Sequence, residues 1–394
     1  MKNIGVFFGS GSPEHDISII TAQLIIAGLK GLNYKVTPVY ITKQGQWMIG
    51  EGLGNLKVFS DPNKKVEDHK NFGAFYLDME KSVGKMVFKK KGLTGKTITI
   101  DLAFPALHGS FGEDGTIQGL FEMYGVPYVG CGVVASAISM DKALTKQIYE
   151  QQNIPTTKFL YFYKKGWEVD KGSVINKINQ ELNWSLFIKP VHLGSSIAIA
   201  KVKDKDLKDL EHRLEVAFHF DNKVIVEEAV ENLMDVTCCV IGNDKPKASL
   251  LQESLFTADV LDFENKYLKG GGVQTGEAKE SLVIPARLDE QTTKEIQDMA
   301  IKVYKVLECS GIARVDFLYD KKIKKFYTNE VNPLPGTIYH HLWEASGIKL
   351  DQLLQKLIQY AEERFEEKKE INYTFSSSVL SNSQSGKLGS KKLS

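Results

Sequence analysis

The first 45 residues alternate between short apolar runs and an amphipathic segment. An apolar run of strand length at 4–8 leads into a Gly/Ser-rich loop, and residues 17–32 follow a helical period. A second strand pattern covers residues 35–41. Because strands that alternate with helices form largely parallel sheets covered on both faces, this pattern predicts an N-terminal α/β domain.

Residues 46–100 interrupt this β-α-β pattern with shorter and less regular runs. Strand patterns occur at 47–49, 75–77, 86–89 and 97–100. They predict a β meander inserted into the N-terminal domain. A further strand at 100–104 then enters a polar, Gly-rich loop at 107–115.

The pattern restarts near residue 140 with strands and helices of mixed order. Strands are predicted at 158–163, 184–189, 197–202, 224–228, 236–241 and 248–254, and helices at 142–152, 204–218 and 289–308. A hairpin at 311–331 precedes a final amphipathic helix, whose apolar stripe consists of Leu350, Leu353, Leu354, Leu357, Ile358 and Ala361. These patterns predict two α+β domains after the first one.

The predicted boundaries give an N-terminal domain at 1–139, a central domain at 140–226 and a C-terminal domain at 227–370. The remaining segment, 371–394, is predicted to be a disordered tail. Its last 19 residues contain eight Ser and three Lys and lack acidic residues. Such a composition does not bury enough apolar surface to fold.

Composition excludes several classes of protein. The 394 residues carry a net charge of +1, which gives no general attraction to nucleic acid or to acidic membranes. No apolar run approaches the roughly 20 residues of a membrane-spanning helix. The cysteines, Cys131, Cys238, Cys239 and Cys309, form no CxxC metal motif. We therefore expect a cytoplasmic protein with reduced thiols and no nucleic-acid or membrane partner.

The predicted C-terminal hairpin carries the residue types of a hard-cation site. If its strands pair symmetrically about Ile323, Asp316 lies opposite Glu330, and Asn332 shares a strand face with Glu330. Two carboxylates and one amide oxygen suit Mg²⁺, especially when nucleotide phosphates complete the coordination. The alternative is an ordinary polar surface hairpin. The apolar neighbours predict burial instead, and buried carboxylates need a cationic partner.

Two lysines at the ends of elements indicate phosphate binding. Lys142 begins a predicted helix, and Lys189 ends an apolar strand that leads into Gly194-Ser-Ser196. A lysine that emerges from an apolar strand either extends to solvent or meets a phosphate. Neither the Walker pattern nor the complete GxGxxG pattern is present, so Gly9-Ser-Gly11 favours a plain strand-to-helix turn.

Glu227 and Glu228 end an apolar strand at the boundary between the second and third domains. A hinge strand of this kind presents backbone amide and carbonyl groups that can bind an adenine edge. The alternative interpretation, a solvated linker, is favoured on composition alone.

Several further runs establish a family resemblance. They are Glu-His-Asp-Ile-Ser at 14–18, His-Gly-Ser-Phe-Gly-Glu-Asp-Gly at 108–115, Ala-Ile-Ser-Met-Asp-Lys at 137–142 and Asn-Pro-Leu-Pro-Gly at 332–336. In this order, over about residues 1–365, the chain resembles the D-alanine–D-alanine ligase family of ATP-grasp enzymes. The resemblance implies a three-domain α/β ATP-grasp architecture, with an N-terminal parallel-sheet domain and two α+β domains that hold ATP between them.

The resemblance also implies roles for individual residues. Lys142, Lys189 and Ser196 match contacts to the ATP phosphates, and Lys266 matches a γ-phosphate lysine on a mobile loop. Glu227, Glu228 and the backbone through Val230 match the adenine hinge, and Asp235 matches a ribose contact. Asp316, Glu330 and Asn332 match the ligands of two Mg²⁺ ions, with Mn²⁺ as a substitute.

The chemistry implied is ligation through an acyl phosphate. The carboxylate of the first D-alanine attacks the γ-phosphorus of ATP, and the amine of the second then displaces phosphate. Arg314 and the backbone N–H of Gly336 match groups that stabilise negative oxygen. Glu14, Ser195 and Tyr267 match a network that assists the amine, and His108 lies in the substrate-binding run. The family commonly forms homodimers.

One departure concerns the acceptor half of the site. The loop after Gly336 is about three residues shorter than is usual in the family and lacks its Ser, which helps to hold the second substrate. His340 or His341 is a candidate replacement, as a cation or an N–H donor, and an exposed helix start is the alternative. The expected function is D-alanine–D-alanine ligation. Alternatives are a ligase with a different amino-acid acceptor and a nucleotide-binding protein without ligase activity.

Overall fold

The computed structural model describes residues 2–60, 66, 72–92, 95–203, 205–255 and 282–377. Its strands form three sheets of seven, four and five strands. Among these described residues, no helix is both long enough and apolar enough to cross a lipid bilayer.

The first sheet contains the predicted β-α-β unit and the predicted meander. Its strands are β1 (Asn3–Gly9), β2 (Lys35–Ile41), β3 (Trp47–Ile49), β4 (Gly73–Leu77), β5 (Met86–Lys90), β6 (Thr97–Ile100) and β7 (Leu102–Pro105), in the order β6-β5-β4-β3-β2-β1-β7. β1 pairs in parallel with β2 and β7, whereas the meander strands pair antiparallel. The meander therefore extends the parallel core of the sheet.

Helices α1 (His15–Gly31) and α2 (Thr116–Met123) cover this first sheet. The next helix, α3 (Val133–Met140), instead shares a core cluster with strands of the third sheet. α1 buries Ala22, Ile25, Ile26 and Leu29 almost completely. This spacing of three and four residues is the apolar face that the sequence predicts.

The second sheet is antiparallel and has the order β10-β9-β11-β8. Its strands are β8 (Phe159–Tyr163), β9 (Leu186–Pro190), β10 (Ala200–Val202) and β11 (Lys223–Glu228), with helices α4 (Lys142–Gln151), α5 (Lys164–Val169), α6 (Lys171–Glu181) and α7 (Leu207–Phe220). β10 is shorter than the predicted strand at 197–202. The reason is that Ser195, Ser196 and Ala198 adopt left-handed backbone angles, with φ of 55°, 59° and 55°.

The third sheet has the order β14-β13-β12-β15-β16 and contains the predicted hairpin. Its strands are β12 (Leu233–Gly242), β13 (Lys247–Ser254), β14 (Leu282–Val283), β15 (Gly311–Asp320) and β16 (Lys325–Asn332). The helices are α8 (Glu290–Val306), α9 (His340–Ala345) and α10 (Leu350–Lys369), and a 3₁₀ turn covers Gly336–Tyr339.

The last helix packs on the first domain. α10 buries Leu353, Leu354, Leu357, Ile358 and Ala361, so the predicted apolar stripe is confirmed. These residues share one core cluster with the buried face of α1. In the described part of the predicted tail, residues 371–377 have no regular secondary structure, and the disorder of this tail stays a prediction.

Candidate active site

One cleft brings together residues from all three predicted domains. Glu14 and His108 come from the first domain, Lys142 and Ser195 from the second, and Arg314, Glu330, Asn332 and Gly336 from the third. Each of them is a candidate site residue from the sequence. Their convergence requires the strand ends and loops of all three sheets to meet.

The hairpin of β15 and β16 sets the predicted metal-ligand positions. Asp316 lies opposite Glu330, and Arg314 lies opposite Asn332. The predicted pair of Asp316 and Glu330 is confirmed. Pairing symmetric about Ile323 holds only on the side of a β-bulge that is far from the turn. Near the turn Phe317 pairs with Thr328, and the bulge brings Glu330 opposite Asp316.

Asp316 lies at the centre of a buried polar network. Arg314 donates from Nε to Oδ1 at 2.9 Å and from Nη2 to Oδ2 at 2.7 Å, which is the bidentate geometry of a strong pair. Thr237 Oγ1 and Asn332 Nδ2 donate to the same carboxylate, at 2.9 and 3.2 Å. Asp316 therefore stays positioned on the strand face that also carries Glu330.

Arg314 is held charged and oriented. Burial alone would lower the pKa of Arg314, but the Asp316 carboxylate beside it raises that pKa well above its usual value. The ring of Tyr339 lies over the guanidinium, 5.0 Å from its carbon. A cation fixed in this way is suited to stabilise a developing oxyanion.

The oxygen donors of this hairpin fit a hard divalent cation. Asp316, Glu330 and Asn332 offer two carboxylates and one amide, a donor set preferred by Mg²⁺. No group of three His, Cys, Asp or Glu side chains suited to a metal occurs in the described ranges, so the amide of Asn332 is needed to complete the set.

A buried cluster of alternating charge lies beneath the cleft. Glu227 accepts from Lys189 Nζ at 2.9 Å through Oε2, and Lys146 Nζ lies 3.6 Å from its Oε1. Lys146 also donates to the hydroxyls of Thr156 and Thr157, at 2.8 and 2.9 Å. Burial lowers the pKa of Lys146 to about 8. Burial alone would raise the pKa of Glu227, but Lys146 and Lys189 hold it below its usual value.

Lys146 is not among the site residues predicted from the sequence. It lies one helical turn after Lys142 on α4, so both side chains emerge from the same face of the helix. The spacing of four residues between Lys142 and Lys146 is the feature of the sequence that could have indicated a second site lysine. It becomes informative only when Lys146 is known to be buried. Lys146 is 1% exposed.

The structure separates Glu228 from the buried charges. Successive residues of a strand point to opposite sides, and Glu228 accepts from the backbone N–H and side-chain amide of Asn183, at 2.9 and 3.0 Å. Val230 is buried. Asp235 is half-buried on β12, opposite Leu318.

Lys142 is anchored to the loop that carries Gly194-Ser-Ser196. Its Nζ donates to the carbonyl of Leu193 at 2.7 Å and to that of Val191 at 3.4 Å. Ser195 is buried and Ser196 is half-buried. The predicted phosphate lysine and the predicted phosphate loop therefore form one unit.

Glu14 joins the first domain to this loop. Ser195 Oγ donates to Glu14 Oε1 across 181 residues of sequence, and both side chains are buried. Gly194 permits the approach, because a Cβ there would lie 2.7 Å from Glu14 Oε2. Gly109 has φ +69°, and a Cβ there would lie 2.5 Å from Ser12 Oγ and 2.7 Å from Glu14 Oε2.

His108 connects the Gly-rich loop to the segment after Gly336. Its Nε2 lies 2.9 Å from Thr21 Oγ1, which also accepts from the backbone N–H of Thr337 at 3.0 Å. Its Nδ1 lies 3.5 Å from Glu113 Oε1. Glu113 belongs to the same Gly-rich run at 108–115, but no role was predicted for it from the sequence.

The expectation that His341 acts as a cation is wrong. Burial lowers the pKa of His341 to about 4, so the ring is neutral near pH 7. Its Nε2 lies 2.7 Å from Gln252 Oε1, which occupies the N–H that was expected to reach a substrate. His341 is half-buried, so the alternative of an exposed helix start is not observed either.

The short loop explains this placement. Thr337, Ile338 and Tyr339 all adopt left-handed backbone angles, with φ of 48°, 50° and 48°. Such angles are unfavourable for residues other than glycine, especially for a β-branched residue. The tight turn directs the Tyr339 ring onto Arg314 and places His341 against Gln252.

Two expected site residues, Lys266 and Tyr267, lie outside the described residues. The four cysteines are all described, and each is a buried free thiol. Their reduced state in the cell stays a prediction.

Comparison with known proteins agrees with this architecture. The protein-family model described as "D-ala D-ala ligase N-terminus" matches residues 3–131. The family model described as "D-ala D-ala ligase C-terminus" matches residues 148–359. A D-alanine–D-alanine ligase of Caldicellulosiruptor bescii is 39% identical over 94% of this chain and 98% of that protein. One from Thermosipho melanesiensis is 37% identical over 94% of this chain and 97% of that protein.

Solved structures show the same fold. The D-alanine-D-alanine ligase from Coxiella burnetii superposes with a TM-score of 0.77 at 29% identity, covering 94% of this chain and 96% of that one. The VanG D-Ala:D-Ser ligase from Enterococcus faecalis gives 0.76 at 33% identity, covering 91% and 99%. The expected α/β ATP-grasp architecture is therefore confirmed, and the chain belongs to the D-alanine–D-alanine ligase family.

Proposed function

We propose that this chain joins two D-alanine molecules in an ATP-dependent reaction that supplies a dipeptide precursor of cell-wall peptidoglycan. The observation that best supports the proposal is the single cleft where Glu14, Lys142, Arg314 and Glu330 meet. Phosphorylation of a carboxylate followed by amide formation needs a cationic side chain that binds phosphate and oxygen ligands for a metal ion. It also needs a group near the attacking amine that assists the loss of its proton. Those residue types lie together there.

ATP would bind between the second and third sheets. In this proposal Lys142, Lys189 and Ser196 contact the phosphates, together with Lys266. Glu227 and the backbone from Glu228 to Val230 hold the adenine, and Asp235 holds the ribose. Lys189 supports the assignment because its ammonium is buried beside Glu227 rather than extended into solvent.

Asp316, Glu330 and Asn332 are the proposed ligands of two Mg²⁺ ions, which Mn²⁺ can replace. When bound, these ions neutralise phosphate charge and help to align the transferring group. The contribution of the chain is to hold the three side chains on paired strands. Arg314 and Thr237 orient the Asp316 carboxylate.

Arg314 and the backbone N–H of Gly336 are proposed to stabilise the oxygen that becomes negative during acyl transfer. Both groups line the cleft, and the guanidinium is restrained by Asp316 and Tyr339. A restrained cation needs little rearrangement as charge develops, and this is the main advantage of a preorganised site.

Glu14, Ser195 and Tyr267 are proposed to assist the attacking amine, which must lose a proton. The hydrogen bond from Ser195 Oγ to Glu14 Oε1 already links two members of this network. His108 is proposed to help form the substrate pocket through its contacts with Thr21 and Glu113.

We also propose a cytoplasmic enzyme that acts on small molecules and forms a homodimer. The supporting observations are the net charge of only +1, the buried free cysteines and the family relationship.

An assay of the purified protein with ATP, Mg²⁺ and D-alanine tests the function. We expect release of phosphate that depends on D-alanine and matches the dipeptide formed. Parallel reactions that add D-serine or another amino acid as the acceptor measure the alternative, which the VanG neighbour makes relevant. Release of phosphate only with such a second amino acid would favour the different-acceptor ligase. Absence of phosphate release in every mixture would overturn ligase activity.

A further inference from the structure

His192 lies within the segment that anchors the proposed phosphate loop. Lys142 Nζ donates to the carbonyls of both its neighbours, Val191 and Leu193. The Gly-Ser-Ser run begins two residues later, at Gly194. A shift of residue 192 would therefore move the lysine anchor and the loop together.

The side chain of His192 bridges two carboxylates from separate elements. Its Nδ1 lies 3.0 Å from Oδ1 of Asp221, and its Nε2 lies 3.4 Å from Oδ2 of Asp141. The backbone N–H of His192 also donates to Asp221 Oδ2 at 2.7 Å. Asp141 caps the start of α4 by accepting from the N–H of Leu144, and Asp221 lies two residues before β11 begins.

Lys223 completes the cluster on the side away from the loop. Its Nζ lies 2.8 Å from Asp141 Oδ2, and its backbone N–H donates to Asp221 Oδ1 at 3.1 Å. The same ammonium lies over the rings of Tyr161 and Tyr163. Two cations, His192 and Lys223, thus face two carboxylates, Asp141 and Asp221. Of the two cations, His192 is the one that belongs to the segment leading into the phosphate loop.

The loop needs such restraint. Ser195, Ser196 and Ala198 hold left-handed backbone angles, which persist only when surrounding contacts determine them. Downstream, Ser195 is fixed by Glu14. Upstream, the contacts of His192 and Lys142 are the described side-chain interactions that hold residues 191–193.

We propose that His192, in its protonated form, is a positioning residue that clamps the phosphate loop to Asp141 and Asp221 and so sets nucleotide affinity. The proposal rests on the proposed function, because it requires that Lys142 and Ser196 contact nucleotide phosphates. His192 acts through these residues and does not touch the reacting atoms.

Hydrogen bonds to Asp141 and Asp221 raise the pKa of His192 to about 9, from a usual value of 6.5. The protonated ring is therefore favoured in the folded protein. Its contribution to folding is complete below about pH 6.5 and is lost as the pH rises through about 9. The facing groups are Asp141, Asp221 and Lys223, and the two carboxylates stay ionised because their pKa values are lowered.

Binding of ADP with Mg²⁺, measured by calorimetry, tests the clamp without requiring turnover. We expect His192→Ala to weaken binding roughly tenfold, because charged hydrogen bonds that fix the loop are lost. His192→Arg, which keeps a cation able to face both carboxylates, is expected to restore most of the affinity. His212→Ala is the matched control, since His212 is exposed on α7.

The pH profile separates a charged clamp from simple packing. The affinity of the wild type relative to His192→Arg should fall between pH 8 and 10, because the imidazole loses its proton there and the guanidinium does not. Lys146, whose pKa is about 8, is present in both proteins and cancels in this ratio. The proposal would be overturned if His192→Ala bound ADP with wild-type affinity. It would also be overturned if His192→Arg folded but bound ADP as weakly as His192→Ala. A wild type that binds ADP normally but lacks D-alanine-dependent turnover would contradict the proposed ligase reaction alone.

Discussion

At the scale of single residues, Glu227 shows how burial changes the meaning of a sequence position. Composition alone favoured a solvated linker at Glu227 and Glu228. In the structure Glu227 is buried between Lys146 and Lys189. Only Glu228 lies near the surface, where it contacts Asn183. The residue types were visible in the sequence, but the two lysines that face Glu227 lie on separate elements.

The charge balance of this cluster predicts unequal effects of two substitutions. Glu227→Gln leaves two buried ammonium groups without a carboxylate, and we expect it to destabilise the fold by about 3–5 kcal/mol. Lys146→Met keeps the pair of Lys189 and Glu227, and about 1–2 kcal/mol is expected from its lost hydrogen bonds. Urea unfolding of both variants measures the difference. An equal or reversed order would show that Lys146 and Lys189 do not share Glu227.

At the scale of elements, the sequence predicted the helices and strands where periodicity was clear. α1, α4, α8 and most strands lie within a few residues of the predicted bounds. Two features escaped because they depend on local backbone geometry. They are the β-bulge that sets Asp316 opposite Glu330 and the left-handed turn at Thr337–Tyr339. Neither contains a glycine that would indicate it, and in the turn three residues other than glycine adopt the left-handed angles.

The contact between α10 and α1 gives a second stability prediction. Leu354 is fully buried, and a Cβ on Gly28 would lie 2.5 Å from its Cδ1. We expect Leu354→Ala to cost about 2–5 kcal/mol of unfolding free energy. The exposed neighbour Gln355→Ala should change it by less than about 0.5 kcal/mol. Denaturant titration gives both values.

A double-variant cycle checks that this cost arises at the helix contact. Gly28→Ala should destabilise the wild type, because its methyl group overlaps Leu354. In the Leu354→Ala background the same methyl group fills vacated space and should be neutral or stabilising. Additive effects of the two substitutions would contradict direct packing of Gly28 on Leu354.

At the scale of the whole molecule, the site exists only because distant segments meet. Ser195 reaches Glu14 across 181 residues, and Thr156 reaches the carbonyl of Thr328 across 172. Arg364 on α10 donates to the carbonyl of Tyr128 at 2.9 Å and lies over its ring. Residue patterns indicate what each segment can bind. Which other segments it meets in space is known only from the folded structure or from a family resemblance. His341 illustrates the risk, because its residue type suggested a cation, whereas burial lowers its pKa to about 4.

Ligand-linked stability tests whether the assembled cleft binds metal through the β15–β16 hairpin. A ligand at 100 times its Kd stabilises the native state by about 2.7 kcal/mol, so ADP should raise the Tm of the wild type. Mg²⁺ should raise it further by comparison with EDTA. Glu330→Gln removes one proposed ligand, and we expect it to keep most of the ADP effect while losing most of the Mg²⁺-dependent increment.

The matched control for this experiment is Glu150→Gln, which neutralises an exposed carboxylate at the end of α4. It should retain both increments. Turnover of Glu330→Gln should also fall by about 100-fold or more, because phosphate charge is no longer neutralised in the transition state. If Glu330→Gln kept the full Mg²⁺ increment, the metal assignment would be wrong even if turnover fell. Glu330 would then act on the reaction without binding the metal, and the ligands would have to be sought elsewhere in the cleft.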